Sequence, residues 1–544
     1  MAGRLALTWA HKADALVSDR AGGYQWVAPS DVRAREVRLL DLVSTCSSPV
    51  DATDGTDGVE DNLLIRGDSL DALRALARTP EYAERYRGKV KLVYIDPPFN
   101  TGQAFEHYDD GLEHSIWLGM MRERLELIRD LLSPDGSVWV HLDDAEMAYC
   151  RVLMDELFGR RAFVSTVVWE KAQGARNDTD ISSAHDYIMI YAKTERIAFR
   201  RYRNLLERQE HQIARYQNPD NDPRGPWRQG DNGTAKSGSE DYRFPISLPS
   251  GRVVRPPAGS YWRFSPSTFE RAREEGRIWF GRDGDSLPVI KRYLAEVQDG
   301  VVPRTWWPAT EVGSNQEAKR DHLRKLFPDR EPFSTPKPER LLERVIHIGS
   351  NPGDIVLDAF AGSGTTAAVA HKMGRRWVTV EQNEATVDTF TRPRLVKVID
   401  GADPGGISDA AGWTGGGGFV ELRVARATFD EAPVELGGGV VVAANLPVGQ
   451  LAASVAAQLG YALGGGGPES PFIASKGRAR LAVIDGLADE TAIEAIVAAL
   501  DDGETATVAA TAFTPGARAA LAERAPGSRI VRIPDDLFPA AVIR

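Results

Sequence analysis

Two short runs in this 544-residue chain combine residue types that do chemistry. The first is Asp96-Pro97-Pro98-Phe99, directly after the apolar run VKLVYI at residues 90–95. The two prolines fix φ and remove two backbone donors. What remains is a rigid row of acceptors, the Asp96 carboxylate and the Pro97 carbonyl, with the flat face of Phe99 beside them. Such a row suits a planar heterocycle bearing an exocyclic NH₂, because both amino protons find acceptors while the ring stacks. A turn that only breaks a strand needs neither the carboxylate nor the aromatic. The second run is LDAFAGSGTTA, residues 357–367. A strand is expected to end at Asp358, a Gly-rich turn to follow, and a helix to open. Gly362, Gly364 and Ala367 fit the G-x-G-x-x-G/A spacing, and Glu381 ends the next expected strand 19 residues after Gly362. The glycines allow close backbone approach to a ligand, and the acidic residue accepts from ribose hydroxyls. This predicts an adenosine-bearing cofactor at the carboxyl ends of the strands. A nicotinamide dinucleotide fits it as well as S-adenosyl-L-methionine.

The elements around these runs read as α/β. Strands are expected at 63–65, 90–95, 137–142, 164–169, 187–191, 354–358 and 377–381, and helices at 69–77, 336–348 and 364–373. Ile116, Met120, Met121, Leu125, Ile128 and Leu132 recur at helical spacing, with Arg122, Glu123, Arg124 and Glu126 between them, which predicts an amphipathic helix. A turn is expected at 133–136. From about 171 to 330 the periodicity breaks down, and five of the 12 Trp fall there. A long irregular insertion in an α/β chain is usually functional. The tail alternates again, with strands expected at 440–444, 481–484, 505–510 and 529–533. The expected organisation is an N-terminal segment and linker (1–60, the linker itself 46–61), a first α/β part (61–170), the insertion (171–330), a cofactor part (331–400), a Gly-rich connector (401–430) and a small C-terminal α/β domain (431–544).

Composition narrows the classes. The chain is 42% hydrophobic and 26% charged, as ordinary globular proteins are. No stretch approaches the ~18–20 apolar residues of a membrane helix, and the first residues lack a signal-peptide run. Cys46 and Cys150 stand alone, so neither a disulfide scaffold nor a zinc site is expected, and the expected setting is the reducing cytoplasm. The nine His form no metal-ligand spacing, no metal is expected, and His141 on its expected strand reads as packed or hydrogen-bonded. Net charge is −11, yet residues 171–330 hold 28 Lys+Arg against 22 Asp+Glu, and residues 401–544 hold 10 against 17. A basic middle between acidic flanks fits a nucleic-acid reader, and chance variation between solvated faces fits it too.

D-P-P-[FYW] paired with F-x-G-x-G-T resembles the amino-methyltransferases of DNA, and the order of the motifs resembles their beta class. The strings IDPPFNTG (95–102), HSIWLGMMRERL (114–125), SPDGSVWVHLDD (133–144), DELFG (155–159), NPDNDPRGPW (218–227) and STPKPERLL (334–342) resemble modification subunits of type III restriction systems. The resemblance covers roughly residues 60–400 and leaves out the first 45 residues and the tail beyond about 430. It implies a Rossmann-like S-adenosyl-L-methionine-dependent methyltransferase fold with an inserted target-recognition region at 171–330. It implies a target-base pocket of Asp96, Pro97, Pro98 and Phe99. It implies a cofactor pocket of Asp68, Thr335, Lys337, Pro338, Asp358, Phe360, Gly362, Gly364, Thr365 and Glu381, with Glu381 on the ribose and Asp68 near the adenine. The implied reaction is adenine-N6 methylation of a base flipped out of double-stranded DNA. Asp at the first motif position favours adenine, since cytosine-N4 enzymes more often carry Ser there. A homodimer and a restriction, helicase or other defence subunit are the expected protein partners, with the tail as the docking element; no membrane is expected. The competing readings are a cytosine-N4 enzyme, a dinucleotide-dependent oxidoreductase and a non-catalytic DNA-binding subunit. The Asp96–Phe99 run argues against the oxidoreductase, and the intactness of both motifs argues against the non-catalytic subunit.

Overall fold

A computed structural model of the chain describes residues 5–18, 23–48, 62–100, 104–105, 108–109, 113–175, 180–230, 233–431, 439–464 and 470–538. A ten-stranded sheet forms its centre. In chain order the strands are β1 (Leu40–Ser47), β2 (Leu63–Arg66), β3 (Val90–Ile95), β4 (Leu132–Leu142), β5 (Phe163–Glu170), β6 (His185–Ala192), β7 (Trp306–Trp307), β8 (Ile355–Asp358), β9 (Arg376–Glu381) and β10 (Gly418–Val424). In space they run β7-β5-β6-β4-β3-β8-β9-β2-β10-β1. The strands from β4 through β10 are parallel, and β6 and β1 pair antiparallel onto the two ends of that block.

Every residue of β3 is buried, which requires cover on both faces and explains its unbroken apolar run. Lys91, inside that run, pairs its ammonium with Asp135. The chain leaves β3 toward β4 and leaves β8 toward β9, on opposite sides of the sheet. Strand order therefore reverses at the β3–β8 seam, and open α/β sheets bind ligands off the carboxyl ends at such a seam. Pairing of Leu92 with Val356 and Val93 with Leu357 brings the two chemical motifs to one edge.

Four helices matter for the site: α1 (Ser69–Arg78), α2 (His114–Leu131), α3 (Glu339–Gly349) and α4 (Thr365–Lys372). Helix α2 buries Met120, Met121, Leu125 and Ile128, as their spacing predicts, while Leu132 already belongs to β4. Arg124, expected among the solvated charges, is buried instead. Its guanidinium lies 2.7 Å from Asp68 Oδ1 and donates to Ser69 Oγ at 2.7 Å. The turn expected at 133–136 is a bulge within β4: Leu132 pairs with Val90 and Ser137 with Leu92.

Several boundaries differ from the sequence expectation. Residues 205–303 form a second compact unit, whereas 171–204 and 304–330 belong to the first, where they supply β6 and β7. Strands Trp227–Gln229, Val289–Tyr293 and Ile278–Trp279 make the unit's largest sheet, and Ile246, Leu248, Trp262, Phe264 and Phe269 form its core. Its buried Asp222 is held well below the usual carboxylate range, chiefly by hydrogen bonds from Arg224, with Lys291 and the Tyr293 hydroxyl adding to them. The unit carries 15 Lys+Arg against 14 Asp+Glu, so the positive excess of 171–330 lies mostly in the flanking stretches.

The expected connector 401–430 contains β10, which sits between β2 and β1. Of the expected linker 46–61, Cys46 and Ser47 are strand residues of β1, and 49–61 lie outside the described residues. The tail builds a five-stranded sheet (Ala462–Leu463, Ala474–Lys476, Ala479–Ala488, Thr505–Phe513, Arg529–Arg532) within the same compact unit as the main sheet. The N-terminal segment ties into it. Val32 packs with Phe429, Val455 and Leu481, Val37 N donates to Gln458 Oε1 at 3.1 Å, and Thr428 N donates to Glu36 Oε1 at 2.6 Å. Among the described residues no helix is long and apolar enough to cross a membrane.

Candidate active site

The Asp96 turn leaves β3 against α2. Trp117 Nε1 donates to the Pro98 carbonyl at 2.7 Å, and Asn100, at φ 62°, donates its amide to Glu146 Oε1 at 2.6 Å. The turn is thus pinned on its Pro98–Asn100 side. Asp96 Oδ2 takes the ammonium of Lys337 at 2.5 Å, while Asp96 Oδ1 is buried with no hydrogen-bond partner. Below the turn, Phe99 stacks on His141 with centroids 5.8 Å apart. His141 is fully buried, contacts the Tyr94 hydroxyl at 2.7 Å and Asp186 Oδ2 at 3.3 Å, and Asp186 in turn holds Lys171 at 2.7 Å. Burial, then the Lys337 charge, hold His141 below its usual range. Burial pushes Asp186 up, but bonding to His141 and the Lys171 charge outweigh it and bring its carboxyl to about 2. The buried His141–Asp186 pair therefore lies beneath Phe99.

The Gly-rich turn leaves β8 and opens α4, with Gly364 in the left-handed region at φ 74°. Asp358 Oδ1 accepts from Phe360 N at 3.0 Å. Glu381 Oε2 accepts from Gly362 N at 2.8 Å, and Oε1 from Asn383 N at 2.9 Å. Burial pushes the Asp358 carboxyl up to about 7, against hydrogen bonds from Thr366 and Phe360, with the Asp96 and Glu381 charges adding to the rise.

The two turns line one cavity of about 560 Å³. Of the residues named from sequence, Asp96, Pro97, Pro98, Phe99, Thr335, Lys337, Asp358, Phe360, Gly362, Thr365 and Glu381 all face it. Asp68, Pro338 and Gly364 are not among its lining. Asp68 instead caps α1 through Leu70 N at 2.7 Å and pairs with Arg124. Burial pushes its carboxyl up, but Arg124, Leu70 N and Ser18 outweigh that and hold it low. Pro338 precedes α3. At Gly364 a Cβ would meet Thr391 Cγ2 at 3.1 Å on a left-handed backbone, so glycine is required there by the turn's own packing.

Sequence reading missed Tyr94, Asp143, Lys171, Asp186, Asn315 and Phe333, which also line the cavity. Asn315 Oδ1, like Asp96 Oδ1, is buried without a partner. Asp186 has a signal in retrospect. A polar His-Asp pair opens an otherwise apolar strand, and β6 is antiparallel, so its first residues lie where the parallel strands end. Away from the cavity, His322, Glu339 and Asp403 form a set of the kind that holds a cation. Lys372 Nζ already lies 2.8 Å from both Glu339 Oε2 and Asp403 Oδ2, and Arg394 lies 2.8 Å from Glu339 Oε1, so protein cations fill it.

A parallel sheet with a strand-order reversal, and a Gly-rich turn and an Asp-Pro-Pro-Phe turn off adjoining strands, define an α/β fold of the Rossmann methyltransferase class. A family model described as DNA methylase matches residues 90–392, more than half of the chain, and the chain belongs to that family. It is 33% identical over 336 residues to the type III restriction-modification enzyme StyLTI Mod subunit of Salmonella typhimurium, covering 56% of this chain and 49% of that protein. It is 31% identical over 432 residues to the probable type III restriction-modification enzyme HindVI Mod subunit of Haemophilus influenzae, covering 69% and 55%. It is 28% identical over 399 residues to the type III restriction-modification enzyme EcoP15I Mod subunit of Escherichia coli, covering 60% and 59%. The chain thus spans about half the length of the curated relatives it matches.

Proposed function

We propose that the protein is a site-specific DNA methyltransferase acting on adenine N6 with S-adenosyl-L-methionine as methyl donor. The observation that carries this reading is the shared cavity, in which the bare Asp96 oxygen and the Gly-rich turn face the same space. The donor set fits this cofactor better than a dinucleotide. Five carboxylates (Asp96, Asp143, Asp186, Asp358, Glu381) line the cavity against two lysines, and Lys171 and Lys337 are both paired. Such a wall favours a sulfonium and an ammonium and repels a pyrophosphate. Phe360, Gly362, Thr365 and Glu381 would hold the cofactor, with Glu381 on the ribose.

When bound, the cofactor supplies an electrophilic methyl group. The protein's part is to prepare the amine. Its lone pair is delocalised into the ring, and acceptance of the amino protons by Asp96 and the Pro97 carbonyl favours the rehybridised nitrogen. The same acceptors stabilise the charge that develops there. Phe99 holds the ring flat, and most of the remaining gain is positioning. Adenine is the base in this reading because Asp heads the motif, and a carboxylate is the stronger acceptor for an amine gaining charge.

Double-stranded DNA is the proposed substrate, with 171–330, and the compact unit 205–303 within it, as the target-recognition region. Association with a restriction subunit, a homodimer and a cytoplasmic setting complete the proposal; the Mod-subunit names of the relatives support the first of these. Incubation with methyl-labelled cofactor and duplex DNA, then digestion to nucleosides and mass spectrometry, tests it. N6-methyladenine is the expected product. N4-methylcytosine alone would overturn the choice of base, and unlabelled DNA would overturn the activity.

A further inference from the structure

The lysine on Asp96 does more than neutralise it. Lys337 Nζ is 2.5 Å from Asp96 Oδ2 and at the same time 5.2 Å from the centroid of the Phe99 ring. An N–H donor on the carboxylate and an electron-poor partner over the aromatic face are the two contacts the target amine and its ring would make. We propose that Lys337 is a positioning residue that stands in for the target amino group: in the base-free protein its ammonium occupies the acceptor and the stacking face together, and an incoming base displaces it. This inference rests on the methyltransferase reading.

Four further observations support it. Lys337 is 8% exposed, so its charge is withdrawn from water and needs a partner. Asp96 lines the cavity with the buried Asp358 and Glu381, and a third carboxylate left beside them without a cation would be costly. The backbone at Lys337 is restrained by Pro336 and Pro338 immediately before α3, so displacement is a side-chain rotation and not a loop movement. Asp96 Oδ1, bare throughout, gives the base a first point of attachment before the lysine leaves.

A stand-in lowers the apparent affinity for the extruded base by the fraction of molecules in which it has withdrawn. The test uses the full chain and a duplex carrying the mapped site, with adenine kept at the target position and 2-aminopurine as its neighbour to report unstacking. Lys337→Met should raise the fluorescence on binding and lower KM for DNA at least about threefold. Calorimetric affinity for S-adenosyl-L-methionine should stay within about twofold. Lys337→Arg keeps both contacts and should restore the wild-type KM. Should Lys337→Met fold poorly, Lys337→Leu, which also removes the ammonium and leaves Asp96 intact, should show the same raised fluorescence. Fluorescence and KM that stay at wild-type values would overturn the proposal. So would a loss of cofactor affinity of about tenfold with unmoved fluorescence, which would make Lys337 a cofactor ligand. Labelled methyl transfer by the wild-type protein is the control: its absence overturns the methyltransferase reading as well, whereas transfer with an unmoved KM overturns the role of Lys337 alone.

Discussion

The parallel strands around the cavity end alike, with one exception. Asp68 after β2, Asp143 after β4, Asp358 closing β8 and Glu381 closing β9 each accept from the backbone N–H two residues on: Leu70 at 2.7 Å, Ala145 at 2.9 Å, Phe360 at 3.0 Å and Asn383 at 2.9 Å. This local bond settles the carboxylate where it stands. At the end of β3 the residue two positions after Asp96 is Pro98, which has no N–H. Asp96 Oδ1 is therefore bare, and Oδ2 relies on a lysine 241 residues away in sequence. The satisfied ends hold; the unsatisfied one leaves Oδ1 as an open acceptor on a residue that lines the cavity. A buried unmade hydrogen bond costs about 1–3 kcal/mol, and at this one place the fold tolerates that cost.

Removing the free acceptor should have the largest effect. Asp96→Ala is expected to lower methyl transfer by about 10³, the scale of losing one preorganised transition-state partner. Calorimetric cofactor affinity should remain within about threefold, since in the proposed reading this end of the cavity takes the base. Retention of more than about a tenth of the activity would show that another group accepts the amine.

The satisfied side breaks differently. Glu381→Ala leaves Gly362 N and Asn383 N without their acceptor. At about 1–3 kcal/mol for each abandoned donor, cofactor affinity should fall at least tenfold and Tm should drop with it. A normal Tm with normal affinity would mean that water replaces the carboxylate.

Pro98→Ala sharpens the comparison by making the β3 end like the others. The new N–H can cap Asp96. Activity should fall about tenfold while Tm holds or rises, because a buried acceptor gains a partner worth about 1 kcal/mol. A fall in both would mean that Pro98 matters through rigidity alone.

The smallest expected effect is a pH dependence. Asp358 has its carboxyl raised to about 7 in the folded protein. Its negative form suits a cationic cofactor, so affinity should climb as pH rises from 6 to 8, by up to about tenfold for a unit of linkage. In the cofactor-free protein the sign is opposite. The folded state keeps a proton that the unfolded chain has released, so stability from this group is present below about pH 4 and is lost as pH rises through about 7. Asp358→Asn should flatten both profiles; calorimetry and thermal melts across pH would show it.

The local chemistry of this chain was legible from residue order. Strand β3 ends at Ile95 as its apolar run ends, because a strand buried on both faces admits few polar side chains. Gly362 and Glu381 line the cavity as the G-x-G spacing places them, since a tight turn between a strand and a helix is built from neighbours in sequence. Asp68, Pro338 and Gly364, which the resemblance placed at the cofactor, lie outside the cavity's lining. What joins Asp96 to Asp358 across more than 250 residues is the β3–β8 pairing, and no local pattern encodes which parallel strands become neighbours. The same holds for Arg124 under Asp68, for Asp186 on an antiparallel strand, and for β10, which a run of glycines disguised as a connector. Above all, the tertiary structure decided that Lys337 reaches Asp96. Charge pairing depends on distance in space, and sequence reports that distance only within a turn or two of helix or strand.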